Sequence, residues 1–229
     1  MTELPVGAPV PEWTSRPWPH AVVLEGTHVV LEPLRREHAA SLFETLGDPA
    51  SRDLWTYRTV EQPADVDQMT EHVEQHLAND AMEAWAVVPR GGAASGITTF
   101  QRIEPAHGQV EVAGVLYARG IQRTPATTET THLLMRWAFD VLGYRRFEWK
   151  CDSLNEPSRR AATRLGFTYE GRFRNHLVVK GRNRDTDWFS VTDAEWPAIR
   201  EAHRRWLDPG NFGSDGRQLA ALRAASPAR

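Results

Sequence analysis

The sequence predicts an α+β fold built on one central mixed, mostly antiparallel sheet flanked by helices, and three observations carry that reading. Three extended apolar segments at 84–88, 95–102 and 109–117 are separated by Arg90-Gly91-Gly92 and by Glu104-Pro105-Ala106-His107-Gly108, both of which look like hairpin connections. The periodicity then changes, with Leu133, Leu134, Trp137, Val141 and Leu142 at helical spacing and Arg136 and Asp140 on the opposite face. A strand, helix, hairpin and helix follow in that order. The helical crossover between segment 109–117 and the strand starting at Arg146 should make those two strands parallel neighbours.

Taken in order, residues 1–20 read as an extended arm, because Pro5, Pro9, Pro11, Pro17 and Pro19 lack amide donors and hold their predecessors out of helix. Trp13 and Trp18 would dock it on the body. Segment 21–34 fits two short strands joined at Glu25-Gly26-Thr27. Helices are expected at 36–46, with Ala39, Leu42, Phe43 and Leu46 on one face, and at 64–78. After the meander and its crossover helix, which Gly143 ends, segment 146–151 is a strand and 155–165 a short helix closed by Gly166. Segments 167–179 and 186–191 form a long hairpin around Lys180-Gly181-Arg182. Thr192 and Glu195 have capping-box spacing for a last helix to about residue 206. The domain itself is expected over 21–207, and the Gly, Ser and Ala content of 208–229 suggests a loosely held tail.

Composition bounds the function. The chain has 229 residues, 41% hydrophobic and 25% charged, as in an ordinary globular domain able to bury a sizeable core. Twenty-seven Lys plus Arg against 30 Asp plus Glu give a formal charge of -3, so no global positive field draws it to nucleic acid or anionic lipid. A membrane span, which takes about 18 consecutive apolar residues, is not expected. The single cysteine, Cys151, makes no internal disulfide, and the cytoplasm is the expected location. His28, His72, His76, His107 and His176 show no metal spacing, so no metal is expected, and the His72/His76 pair reads as solvated. Cys151 reads as a small buried hydrophobe, and Lys180, Arg182 and Arg184 as a basic hairpin tip that could attract an acidic acceptor or a phosphate.

Two junctions carry chemistry. The first, Gln122-Arg123-Thr124-Pro125-Ala126-Thr127-Thr128-Glu129, joins a strand to a helix, where unpaired amides make a ready anion site. Thr127 and Thr128 can add hydroxyls and Arg123 a fixed charge, although threonines at a helix start also serve simply as caps. The second runs from Asn155 through Ser158 to Leu165-Gly166-Phe167.

The second junction resembles the signature N-x-x-S-x-x-x-x-x-x-L-G-F of the GNAT N-acetyltransferases, and the first stands where that family has its pyrophosphate arm, Q/R-x-x-G-x-G/A. The resemblance spans roughly 24–199 and is closest to the RimJ/RimL-like branch, which favours Thr-Glu after the arm, here Thr128-Glu129. Pro125 and Thr127 replace the two usual glycines, and Pro125 offers no amide, so hydroxyls and Arg123 should share the phosphate load. The resemblance implies a GNAT fold and acetyl-CoA as co-substrate, bound at Leu116, at Gln122, Arg123, Thr124, Ala126, Thr127 and Thr128 of the arm, and at Asn155 and Ser158. It further implies that an amine attacks the thioester directly. Such an amine is mostly protonated at neutral pH, so a base must first take its proton, and Glu111 is the best-placed carboxylate. A backbone amide in 113–116 would hold the oxyanion and Ser158 would assist the CoA thiolate, since the helix lacks the tyrosine many relatives place there. The acceptor is a small amine, which is the preferred reading, or a protein N-terminus, with Trp55, Tyr57 and Arg58 as pocket, core or lid. A homodimer is kept open. The alternative reading is a non-catalytic acyl-CoA-binding module of the same fold.

Overall fold

The computed structural model describes residues 4–224, so the ends of the expected arm and tail, 1–3 and 225–229, lie outside the described residues. Its strands are β1 (Leu24–Glu25), β2 (Val29–Pro33), β3 (Glu83–Pro89), β4 (Gly96–Glu104), β5 (Gln109–Tyr117), β6 (Arg146–Asp152), β7 (Thr168–Val179) and β8 (Arg182–Thr192). They form one eight-stranded sheet in the order β1-β2-β3-β4-β5-β6-β8-β7. Every pairing is antiparallel except β5 with β6, whose parallel register runs from Gln109 opposite Arg146 to Val112 opposite Trp149. The helical crossover dictates that parallel pair.

Alternation along the strands splits the core in two. Trp85, Val87, Phe100, Val110, Val112, Phe147 and Trp149 face α3 (Pro125–Arg136), α4 (Glu156–Arg164) and α5 (Trp196–Leu207). Ala84, Ala86, Ile97 and Leu116 face the opposite way, against α1 (Ala39–Leu46) and α2 (Val66–Leu77). Helices α1 and α2 cover only the β2–β4 side of that second face, which leaves it open over β5, β6 and β8.

Several details differ from the sequence reading, each for a local reason. Segment 49–55 is a 3₁₀ stretch started by Asp48, whose carboxylate accepts from the Ala50 amide, and it drives Trp55 into the α1/α2 core. Crossover helix α3 passes into a π-turn at Trp137–Val141, and the extra residue per turn rotates Val141 outward to 60% exposure instead of onto the apolar face. His72 and His76 are not solvated: His72 is buried, and the two rings meet edge to face at 4.6 Å. Helix α5 starts at Trp196, and only half of the capping box forms, with the Glu195 carboxylate accepting from the Thr192 amide at 2.8 Å. The tail is held as far as residue 224: Trp206 Nε1 donates to Gln218, and Leu222 and Ala224 are buried. Gly166 has φ +96, and a Cβ there would meet the Ala224 carbonyl at 2.8 Å, so closing α4 and seating the tail both require glycine. The N-terminal arm docks through Trp13 Nε1 on the Ala106 carbonyl and Trp18 Nε1 on Glu83.

Three buried histidines give the fold an acid limit. Burial lowers His72 and His203 to about 3 and His132 to about 4. Their unfolded value is 6.5, so the unfolded chain binds more protons below it; the stabilisation is complete above pH 6.5 and is lost as pH falls. Each should cost roughly 0.8 kcal/mol between pH 7.5 and 6, so thermal unfolding should shift down by about 5–8 °C over that interval. An unchanged Tm would mean that these rings are protonated or solvated in the folded state.

Candidate active site

The site begins where β5 leaves β6. Pairing between them stops at Val112 and Trp149, and β5 carries an extra residue opposite β4, because Thr99 pairs with Ala113 but Ile97 with Leu116. Gly114 takes φ +61 in this bulge, and a Cβ there would lie 2.9 Å from Thr99 Oγ1. The bulge bends the strand, so the backbone over 113–116 is released from β6. Leu116 itself is buried against α1 and α2.

Before the bulge, the open face of the sheet is charged. Glu111 lies opposite Glu148 in register, and both carboxylates are nearly inaccessible, at 4% and 3% residue exposure. Lys150 Nζ approaches Glu111 Oε2 to 2.7 Å, which is an ion pair, while Arg102 Nε stands 3.9 Å from both carboxylates. Arg146 holds Glu148 at 2.7 Å and also Glu170. Burial raises the Glu111 carboxyl above its usual range, Lys150 pulls it back down, and Glu148 adds a smaller push upward. Lys150 and Arg102 also sit over the Trp188 ring, 4.7 and 5.3 Å from its centroid. Sequence reading singled out Glu111 but missed Lys150, Glu148 and Trp188. The signal was present: Arg146, Glu148 and Lys150 alternate with Phe147, Trp149 and Cys151, so one face of a strand between two apolar layers is fully charged.

Behind the bulge, the chain reaches the N-terminus of α3. Gln122 Nε2 donates back to the Tyr117 carbonyl at 2.8 Å, and exposed Arg123 adopts φ +60 at the corner where it turns. Thr124 Oγ1 donates to the Ile121 carbonyl at 2.7 Å, so the first-turn amides receive no side-chain cap. Proline at the first helical position removes a donor that the helix could not have used. Ala126 is buried, and the Thr127 hydroxyl folds back on the Thr124 carbonyl. Thr128 is turned inward, its hydroxyl accepting from Arg164 Nη1 at 2.9 Å, so its proton alone is left to donate.

The start of α4 faces the same opening. Asn155 Oδ1 accepts from the Ser158 amide at 3.1 Å, a helix cap that leaves the Asn155 NH₂ unengaged among the described residues. Ser158 Oγ accepts from Trp149 Nε1 at 3.0 Å, which orients the hydroxyl and leaves its proton to give. Cys151 is buried beside it, its thiol pushed up to about 11 by burial, as befits a core residue and not a nucleophile.

A roof closes over this floor. Tyr57 Oη donates to the Leu154 carbonyl at 3.0 Å, and Lys180, at the β7–β8 tip, reaches the Trp55 carbonyl at 3.0 Å and Glu61 at 3.1 Å. Segment 55–61 is therefore tied both to the turn after β6 and to the β7–β8 tip. Burial lowers the Arg58 guanidinium in this segment to about 10. Of the three roof candidates, Trp55 is core and Tyr57 is roof.

A family model described as an acetyltransferase (GNAT) domain matches residues 28–168, more than half of the chain. A GCN5-related N-acetyltransferase from Brucella melitensis is similar in structure, with TM-score 0.91 and 42% identity, covering 93% of this chain and 97% of that one. A Bacillus subtilis (strain 168) protein named "Putative ribosomal N-acetyltransferase YdaF" is 24% identical over 175 residues, 74% of this chain and 93% of its own. An acetyl transferase from Salmonella typhimurium that modifies the N-terminal serine of ribosomal protein L7/L12 shares the fold at TM-score 0.65 and 18% identity, covering 75% of this chain and 99% of that one.

Proposed function

The chain belongs to the GNAT acetyltransferase family, and from that premise we propose that it passes the acetyl group of acetyl-CoA to a primary amine by direct attack on the thioester. The observation that carries this reading is the release of β5 from β6 after Val112, one residue beyond buried Glu111, in the stretch of chain that leads to the uncapped start of α3. A thioester lying in that gap would have its carbonyl oxygen near the freed amides of 113–116, which is where negative charge develops.

The other roles follow from chemistry. Glu111 takes the proton that keeps the amine non-nucleophilic, and its raised pKa suits a base working near neutrality. Ser158, oriented by Trp149, gives its proton or a hydrogen bond to the departing thiolate. The Asn155 NH₂ donates to a pantetheine carbonyl. The first-turn amides of Ala126 and Thr127 and the exposed Arg123 guanidinium take the pyrophosphate; the Thr124 and Thr127 hydroxyls donate to backbone carbonyls and Thr128 is turned inward onto Arg164, so the hydroxyls do not share that load as the sequence suggests. Leu116, whose side chain is packed in the core, contributes its backbone to the edge along which pantetheine lies. The acceptor is a small amine or, as described for the Salmonella protein, a ribosomal protein's N-terminus.

Acetyl-CoA at 100 times its Kd should stabilise the protein by about 2.7 kcal/mol and raise Tm by several degrees, and Asn155→Ala should shrink that rise. An unchanged melting curve at millimolar acetyl-CoA sinks the proposal. A cofactor-dependent rise with no CoA release across a broad amine panel points instead to a non-catalytic acyl-CoA-binding module.

A further inference from the structure

We propose that the acceptor is an amine that also carries a carboxylate, and that Arg184 on the charged face of β8 holds that carboxylate. The proposal rests on the acetyl-transfer reading and names the substrate class for the same cleft.

The argument is one of unmatched charge. On β8, residues Arg184, Thr186 and Trp188 share a face, and Trp188 lies opposite Lys150 in register, so this is the open face that carries Glu111. The other cations there have acidic partners: Arg146 has Glu148 and Glu170, Lys150 has Glu111, and Arg102 is shared by Glu111 and Glu148. Lys180, at the hairpin tip, has Glu61. Asp152, diagonal to Arg184 on the same face, accepts from the Leu154 amide and makes no ion pair with it; Arg184 has no ion pair among the described residues, and its Nε is buried without a hydrogen-bond partner. Trp188 Nε1 is a second buried donor left unpaired.

His176 reads the local field. Its Nδ1 lies 2.9 Å from Thr186 Oγ1, its ring is 6.3 Å from that of Trp188, and it is half-buried. Partial desolvation lowers its pKa first, and Lys150, Arg184 and Arg102 all lower it further, with no carboxylate acting against them. The neighbouring Asp185 does not neutralise Arg184. Its carboxylate is engaged by the Asn175 amide and Asn183 Nδ2, and it projects from the other face of the strand. A buried, unpaired guanidinium nitrogen in a positive field, beside a roof that ties Tyr57 to Leu154, is what an anionic group on a substrate would complete. The carboxylate would anchor the acceptor at Arg184 while its amine points back along β6 toward Glu111.

Matched amines that differ only by one carboxylate test this: L-lysine, whose ε-amine is remote from its carboxylate, against cadaverine, and C-terminally amidated pentapeptides beginning Ser-Glu against Ser-Gln. Each is titrated into the full-length protein saturated with CoA, reading Tm, and assayed separately for CoA release from acetyl-CoA. In at least one pair the acid should bind about 10-fold or more tighter than its twin, the strength of a charge-assisted contact. Arg184→Met should bring that ratio to near unity, Arg184→Lys should keep part of it, and neither should alter half-saturation by acetyl-CoA. Equal binding of every pair, a preference that persists in Arg184→Met, or no binding by any probe overturns the assignment. A carboxylate preference in binding without acetylated product keeps the site and defeats the transfer reading; turnover of neutral amines without preference does the reverse. Preference confined to the peptide pair supports the site and identifies a peptide as the source of the carboxylate.

Discussion

Glu111→Gln should lower kcat by about 10²- to 10⁴-fold, the usual contribution of a positioned general base. The substitution keeps the shape of a nearly inaccessible side chain and removes only its ability to take a proton. Lys150 loses its 2.7 Å partner but retains the Trp188 ring and some access to water, so the Tm should stay within a few degrees. The pH profile separates a base from a structural carboxylate. Burial raises the Glu111 pKa more than Lys150 lowers it, so the rising limb of kcat/KM should lie above the ordinary value of 4.5. The ionised form is the active one, and activity is lost as pH falls through that limb. Lys150→Met removes the counter-charge and should move the limb further up, with partial recovery of rate at alkaline pH. A Gln variant with undiminished kcat would show that another group, or a water chain, takes the proton.

The fold was readable because its signals are local and repeated. Turn clusters at 90–92 and 104–108 bound the meander, and the crossover rule alone predicts the parallel β5–β6 pair. Where the reading missed, the cause was a contact distant in sequence or a backbone irregularity with no compositional mark. Nothing near Val141 announces a π-turn, and the small, polar tail looked loose because its partners, Trp206 and the Gly166 turn, are supplied by other elements.

The site was readable in a different way. Asn155, Ser158 and Gly166 stand out because a motif spaces them, and each also has a plain structural duty that the coordinates display: a cap, an indole acceptor and a left-handed turn. Lys150, Trp188 and Arg184 belong to no motif. They become meaningful only when β6 and β8 are brought side by side, since each is then judged by which charges lack a partner across the strand. In the proposed roles, the cofactor side comes from two motif-bearing stretches, 116–128 and the start of α4, and the acceptor side from three strands and the roof segment.

Glu129→Ala should be the most destabilising single change at the site, by roughly 3–6 kcal/mol, lowering Tm by about 10 °C or more. The Thr128-Glu129 pair reads in the sequence as a mark of the cofactor arm, yet the Glu129 carboxylate points away from solvent. It accepts from three successive backbone amides of the β1–β2 turn: Thr27 at 2.8 Å, His28 at 2.6 Å and Val29 at 3.0 Å. Alanine would leave three amides without acceptors at a position that is 5% exposed, where water cannot fully replace the carboxylate. Gly26 is part of the same device, because a Cβ there would stand 2.4 Å from the Glu129 carboxylate. Glutamine should recover little, since its NH₂ would confront amides that also donate. Glu129 lies one turn into α3, so the anchor also fixes the angle at which the uncapped first turn of that helix meets the phosphate region. The variant should therefore lose affinity for acetyl-CoA together with stability, whereas Asn155→Ala should lose affinity with only the loss of one helix cap, about 1 kcal/mol and 2–4 °C in the Tm of the free protein. Melting curves with and without acetyl-CoA, measured on both variants, make the comparison. A Glu129→Ala protein that melts like the wild type would mean that the three turn amides find water, and that the turn is not held by α3.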